Sequence, residues 1–251
     1  QTAGNANILA IGWNDALAGI SAVGDSAGNV YHVAVPTFRG NGMSQVIYYA
    51  ADIKGGSNVV TVTFDQPAVY IDLRLAEYSG LMRTNAFDAG ASASAIGANA
   101  DSGSVTTSAT NELLFGAGMT ATTFTAPGSG FTQRVITAPD ADIIEDQAAA
   151  RVETYSATAA LSSGAWLMQV AAFKAALPAT APTLGITPTA TNAAVVMWPA
   201  AATGFTLQEN PNLAATNWVD SAGATEVVGA ENQVVLSLSS SSQRFYRLKS
   251  P

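Results

Sequence analysis

The sequence predicts an all-β chain composed of two antiparallel β-sandwiches. Short apolar segments recur at a spacing of about 8–12 residues, which is typical of sandwiches and jelly rolls. Gly, Asn, Asp and Pro separate these segments, as they do at turns between strands. No stretch keeps the helical period over three turns, so no helices are predicted.

The first predicted sandwich covers residues 1–174 and is jelly-roll-like. In one of its segments Val60, Val62 and Phe64 share one face of a strand and threonines lie on the other, the alternation of a half-buried strand. The predicted strands of this domain are Asn7–Trp13, Val30–Val35, Gln45–Ala50, Asn58–Phe64, Tyr70–Tyr78, Ser104–Thr107, Glu112–Ala121, Phe131–Thr137, Ile143–Ala149, Glu153–Ala159 and Trp166–Phe173.

The first of these strands differs from the others because both of its faces are apolar. Within Ile8–Trp13 neither the odd nor the even positions carry a polar side chain. A strand with two apolar faces needs cover on both sides. We therefore expect this segment to lie inside the protein rather than at its surface.

A linker and a second, smaller sandwich follow. Residues 175–189 contain three prolines and no charged residue, which predicts a semi-stiff extended linker. Residues 190–251 hold several short apolar segments, among them "NAAVVMW", "QVVLSLS" and "RFYRL". This number of strands in a segment of this length predicts a domain like a small immunoglobulin or fibronectin type III sandwich.

The composition excludes some classes of function. The net charge is −8 with ten Lys and Arg residues in the whole chain, so the clustered positive charge that nucleic-acid binding requires is missing. No apolar run approaches the about 18 residues of a membrane span. A Gln at position 1 implies removal of an upstream segment, by a signal peptidase, by another protease or by choice of boundary. Together with the scarcity of Lys, it leads us to expect an exported protein, extracellular or at the cell surface, whose leader is already removed.

Candidate catalytic and metal-binding residues are few. His32 is the only histidine and lies within a predicted strand, where a packed or surface role is commoner than catalysis. The carboxylates Asp140, Asp142, Glu145 and Asp146 raise the alternatives of a calcium site or a glycosidase pair.

Turn chemistry explains the carboxylates better than either alternative. The segment "TAPDAD" predicts a hairpin loop at residues 137–142, in which Asp140 has a turn role. In that hairpin Arg134 would face Glu145 across the strand pair. We therefore predict a protein that is not an enzyme, with no metal site and no cofactor.

Aromatic residues offer the remaining candidate for ligand binding. The tryptophans and several tyrosines could stack on sugars, although Trp in small sandwiches is more often a core residue. The residues in question are Trp13, Trp166, Trp198, Trp218, Tyr48, Tyr49 and Tyr70.

The segments "GWND", "SQVIYYA", "GFTQRVITAPDADIIED" and "WLMQVAAF" within residues 1–174 resemble a β-sandwich module found in large secreted proteins of environmental bacteria. The segments "WPAAATGFTLQENPNLAATNW" and "RFYRL" resemble the short fibronectin or immunoglobulin-like module that often ends such proteins. The resemblance implies a fold and an exported setting but no activity. Members of the first family usually have one more strand ahead of the position that matches Gln1, so the resemblance implies an incomplete sandwich.

Two functions of different classes follow from these observations. The first is a non-catalytic extracellular structural or adhesive protein, such as a filament or surface-layer subunit, which binds copies of itself or other surface proteins by β-strand addition. Its predicted strand-addition edge consists of Ile8, Leu9, Ala10, Ile11 and Trp13. The alternative is a carbohydrate-binding protein accessory to polysaccharide degradation, with a polysaccharide as its partner.

Overall fold

The structure, a computed structural model, describes residues 1–176, 182–190, 192–202, 204–237 and 243–249. These residues form strands and no helix, which confirms the predicted all-β class. None of them forms a helix long and apolar enough to cross a membrane. The chain divides into two compact units, Gln1–Ala176 and Leu177–Pro251.

The strands of the first unit are β1 (Ala6–Trp13), β2 (Ile20–Asp25), β3 (His32–Gly40), β4 (Met43–Ala50), β5 (Val60–Phe64), β6 (Asp72–Tyr78), β7 (Phe87–Asp101), β8 (Val105–Thr106), β9 (Glu112–Thr120), β10 (Phe124–Pro127), β11 (Thr132–Ile136), β12 (Ile143–Ala149), β13 (Thr154–Tyr155) and β14 (Thr158–Phe173).

Two antiparallel sheets form the body of this unit. The first has the strand order β3-β4-β1-β6. The second is built around the long strand β14, which pairs with β7 along one edge and with β10 and β9 along the other, and β12 and β11 follow β9. The short pairs β2–β5 and β8–β13 complete the unit.

Strand β1 lies at the centre of the first sheet and is covered on both faces. Ile8 and Ala10 pack against the second sheet, in a cluster that includes Phe115 and Phe173. The other face of β1 packs beneath the β2–β5 pair. All eight residues of β1 are buried, so the predicted two-sided cover is confirmed.

The prediction that this segment is an open edge is wrong. The predicted edge residues Ile8, Leu9, Ala10, Ile11 and Trp13 lie in a strand that pairs with β4 on one side and β6 on the other, both within the chain. Its backbone donors and acceptors are therefore already used, and none of these residues can template an added strand.

The longest strands were only partly predicted. Strand β7 has 15 residues and is absent from the predicted set, because its Ala, Gly and Ser residues have weak strand preference. Strand β14 has 16 residues, and the prediction Trp166–Phe173 covers only its second half. The hairpin predicted at residues 137–142 is confirmed: Ile136 pairs with Ile143, and the Thr137 N–H donates to the carbonyl of Asp142.

The strands of the second unit are β15 (Gly185–Pro188), β16 (Ala193–Pro199), β17 (Thr206–Asn210), β18 (Val219–Asp220), β19 (Glu226–Val228), β20 (Glu231–Ser237) and β21 (Phe245–Lys249).

They form the sheets β15-β16-β20-β19 and β18-β17-β21, with a core that includes Val196, Trp198 and Leu207. The predicted linker 175–189 therefore contains a strand of this unit, β15, while its residues 177–181 lie outside the described part of the chain.

Candidate functional site

Of the predicted catalytic and metal-binding residues, Asp140 and Asp142 line one pocket of about 280 Å³, whereas His32 lines a different groove. His32 is exposed at the start of β3, where its ring centroid lies 5.7 Å from that of Tyr49. Asp140 is exposed in the turn, whereas Asp142, Glu145 and Asp146 are buried. In the described ranges no group of three or more His, Cys, Asp and Glu side chains is placed to hold a metal ion.

The predicted pair of Arg134 and Glu145 is wrong because β11 has a bulge at Arg134. Gln133 lies opposite Glu145, and the register shifts before Val135. The Arg134 guanidinium instead donates to both carboxylate oxygens of Asp146, at 2.5 and 2.8 Å. The bulge thus directs Arg134 to the carboxylate next to the predicted one.

Glu145 is a buried carboxyl group on the opposite face of β12. One of its oxygens, Oε2, accepts the Gly128 N–H at 2.9 Å, and Oε1 is buried without a hydrogen-bond partner among the described residues. Burial raises the pKa of Glu145 to about 7, against the lowering effect of the Gly128 bond. This carboxyl group is fully buried in the protein.

Arg74 anchors a polar network between the two sheets of the first unit. Its Nη1 donates to the carbonyls of Gly118 and Ile143 at 2.7 and 2.8 Å, and its Nη2 donates to Gln45 at 2.9 Å. Asp142 lies 4.0 Å from the guanidinium, and burial, partly offset by the charge of Arg74, raises the pKa of Asp142 to about 7. Both Nη atoms of Arg74 donate to the protein itself, and its Nε, which makes no hydrogen bond, lies 3.3 Å from Asp72 Oδ2, so the network is a structural link.

Three of the four tryptophans have no exposed ring. Trp13, Trp166 and Trp198 are buried. Trp218 is covered by the guanidinium of Arg247, which lies 4.4 Å from the ring centroid. These residues therefore stabilise the two units.

A groove of about 550 Å³ lies beside β3 and β4 and is lined in part by aromatic rings. Tyr49 and His32 line one part of it, and its rim carries Lys54, Asp52 and Arg83. The Arg83 side chain is exposed and its Nε lies 3.6 Å from Asp52 Oδ1. Aromatic rings beside charged and amide side chains are groups that can bind a polar ligand.

The free edge of β7 is the other candidate. Within residues 1–176, β14 is the only strand that pairs with β7. The pairing is regular from Gly97–Gly164 to Ala89–Ala172, so the outer edge offers a straight row of backbone groups. From Ala89 to Ala100 this strand contains no charged residue and no proline.

The other edges of these two sheets are protected. Strand β3 contains Pro36 and two register shifts, and β10 contains Pro127 and one. Strand β6 carries three charged residues, and β11 carries Arg134 at its bulge. Prolines, bulges and charges are the devices by which natural proteins block edge pairing. Strand β7 has none of them in its middle.

A group of polar side chains ties the first residues of β7 to the end of β14 and the start of β9. Lys174 Nζ lies 2.9 Å from Asp88 Oδ1, and the Ser108 hydroxyl donates to the same oxygen at 2.6 Å. The Ser108 N–H lies 2.7 Å from Asp88 Oδ2 and 3.2 Å from Glu112 Oε1, so the two carboxyl groups are adjacent. We call Asp88, Glu112 and Lys174 the β7 anchor.

Sequence reasoning missed both the β7 edge and the β7 anchor. The strict alternation of Ala with Gly or Ser in residues 89–94, without a charge or a proline, was the signal that could have identified the strand. The anchor had no local signal because its members are distant in sequence and meet only through the pairing of β7, β14 and β9. Comparison with protein families, with curated proteins and with solved structures found no match for this chain.

Proposed function

We propose that the chain is a non-catalytic structural or adhesive protein that acts outside the cell and assembles by β-strand addition at the free edge of β7. The observation that carries this proposal is the contrast between edges. Four edge strands of the two main sheets carry charges, bulges or prolines, whereas the middle of the edge strand β7 carries none of them.

The physical case rests on unused backbone groups. An antiparallel pair forms about one hydrogen bond per residue, and each contributes ~0.5–1.5 kcal/mol net. Association itself costs about 4–15 kcal/mol. A pairing along the regular part of β7 therefore gives a contact that forms at high local concentration, as in a surface layer or filament.

The partner that fits best is the β7 edge of a second copy. Two uncharged strands do not repel one another, and Ala, Gly and Ser side chains allow close approach. A β7–β7 pair would join two sheets into one continuous sheet and give a dimer. Extension to a filament needs a second contact on the same chain.

The finer fold belongs to the same proposal. We infer a jelly-roll-like arrangement for the first unit and an immunoglobulin or fibronectin type III-like arrangement for the second. The sheets of four and three strands in residues 182–249 support the second assignment, and the resemblance of "RFYRL" and its neighbours supports an exported setting.

The test is association measured by sedimentation velocity over a wide range of protein concentration. We expect reversible dimers, and Ile96→Lys should weaken their association at least about tenfold, or ~1.4 kcal/mol. Val227→Lys is the matched control, because Val227 is also an exposed apolar residue of an edge strand, in the other unit. A chain that stays monomeric up to millimolar concentration, or equal effects of both substitutions, would contradict the proposal.

A second candidate function is carbohydrate binding in the groove of Tyr49 and His32, favoured by the aromatic rings and the exposed Arg83 at its rim. Affinity gels with soluble and insoluble glycans test it. Arg83→Ala should abolish retardation, while Arg151→Ala, which removes an equally exposed ion pair with Glu153, should not. No retardation by any glycan would end this candidate.

A further inference from the structure

We propose that Lys174 and Asp88 form an intramolecular amide bond, with Glu112 relaying the protons, so that β7 is covalently tied to the end of β14. The proposal concerns the β7 anchor alone. It goes beyond the assembly proposed above and does not depend on it.

The placement of the three groups follows from strand pairing. Phe87 pairs with Phe173 and Ala89 with Ala172, so Asp88 is an extra residue in β7 that no residue of β14 faces. On the other side of β14, Phe173 pairs with Leu113 of β9. Lys174 therefore follows the central strand directly between Asp88 on one neighbour and Glu112 on the other.

The distances suit a reaction between amine and carboxyl. Lys174 Nζ lies 2.9 Å from Asp88 Oδ1, so the amine is in contact with the carboxyl group whose Cγ it would attack. Holding the two groups in one place replaces a bimolecular encounter by an intramolecular one, which lowers the barrier to their reaction.

The surroundings exclude most of the water that would favour the separate groups. The Asp88 side chain is 8% exposed and that of Lys174 is 28% exposed, while Glu112 is fully buried. The rings of Phe87 and Phe173, next to Asp88 and Lys174 in the chain, pack edge to face with centroids 6.0 Å apart.

Glu112 is suited to carry a proton. Its Oε1 accepts the N–H groups of Ser108 and Ala109, and its Oε2 is buried without a hydrogen-bond partner in the described part of the chain. Burial, together with the neighbouring charge of Asp88, raises the pKa of Glu112. A raised pKa favours the acid form of Glu112, which is the form that can donate a proton. Against the effect of burial, the bonds from Ser108 and Lys174 lower the pKa of Asp88 to about 2, so Asp88 enters the reaction as the carboxylate of the ion pair.

The reaction balances without a further reactant. One proton passes from the Lys174 ammonium to Asp88, and the neutral Nζ attacks Cγ of Asp88. Glu112 donates its proton to the Asp88 hydroxyl oxygen, the C–O bond breaks and water leaves. The Glu112 carboxylate then takes one proton from the nitrogen, which leaves a neutral amide and restores the acid.

The experiment is the mass of the purified full chain under denaturing conditions. We expect a mass lower than that of the sequence by one water molecule. Because an N-terminal Gln can lose ammonia, which changes the mass by nearly as much, the bond is located by tryptic mapping. Residues 84–134 should be joined to the peptide that contains Lys174, and cleavage after Lys174 should be lost.

Matched variants separate the amide from a plain ion pair. Glu112→Gln and Lys174→Arg should restore the full mass and the separate peptides, whereas Glu145→Gln should keep the bond, since Glu145 is an equally buried glutamate of the same sheet. A wild-type chain with unlinked peptides overturns the proposal whether or not the variants fold. A bond that survives in Glu112→Gln overturns the role of Glu112.

Discussion

Strands β1 and β7 differ in what the protein does with a backbone edge. Strand β1 is apolar on both faces, lies between two partners and is entirely buried. Strand β7 is built of small residues, has one partner within the first unit and exposes Ile96 to 75%. The strand with large apolar side chains, β1, is therefore paired along both edges. The strand with small side chains, β7, is the one that leaves an edge unpaired.

The difference has a physical origin. A strand in the middle of a layered unit gains free energy from both faces, at roughly 25 cal/mol per Å² of apolar surface. Strand β7 gains less because its side chains are small, and small side chains keep its surface from aggregating through hydrophobic contact. Substitutions whose effects should differ between β1 and β7 are therefore the most direct tests of this difference.

The largest expected effect is at Arg74, which lies on β6 beside β1 and links the two sheets. Arg74→Met removes the donors to Gly118, Ile143 and Gln45 and leaves Asp72 and Asp142 without their buried counter-charge. Breaking a buried charge pair costs about 3–5 kcal/mol. Urea unfolding measures the loss, and Arg83→Met, at an exposed ion pair, should stay within about 1 kcal/mol.

Replacing one isoleucine by alanine in β1 and one in β7 compares the two strands directly. Ile11→Ala in β1 should lower the free energy of unfolding by about 2–5 kcal/mol, because Ile11 is fully buried. Ile96→Ala in β7 should stay within about 0.5 kcal/mol. Equal losses in urea unfolding would mean that Ile96 is covered in solution and that β7 is not a free edge.

The sequence predicts that β1 is a buried strand, but it does not predict which strands lie beside it. Two-sided apolarity correctly predicted burial at Ile8 and Ile11, and turn residues correctly predicted the hairpin at 137–142. Which strands lie beside β1 could not be predicted, because β4 and β6 come from distant parts of the chain. The pairing of Arg134 failed for a local reason: a one-residue bulge changes which side chain lies opposite which.

A smaller effect should appear in the pH dependence of stability. Burial raises the pKa of Glu145 from 4.5 to about 7, so the folded chain holds this proton more tightly than the unfolded chain. The contribution of this proton to the free energy of unfolding is full below about pH 4.5, falls as the pH rises to about 7 and is constant above that. At ~1.4 kcal/mol per pH unit, the total loss is about 3 kcal/mol.

Urea unfolding of wild type and Glu145→Gln at pH 5 and pH 8 measures this loss. The variant should lack most of the decrease, and Glu153→Gln, at an exposed position, should behave as the wild type does. If Glu145→Gln leaves the slope unchanged, Glu145 is ionised in the folded state. In that case Asp142, whose pKa burial also raises to about 7, is the group that dominates the slope.

The smallest effect in free energy, and the most direct on the edge itself, is the pattern of amide hydrogen exchange. In β1 the N–H groups point alternately to β4 and β6, so successive amides should be protected alike. In β7 only those directed at β14 have a partner strand within the first unit, and antiparallel geometry makes these every second residue. A dilute monomer should therefore show alternating protection from Ala89 to Gly97.

The alternation should disappear at concentrations where dimers form, because the outer amides of β7 then pair as well. Uniform protection in the dilute monomer would mean that the edge is already covered within one chain, and the contrast between β1 and β7 would reduce to one of side chains alone.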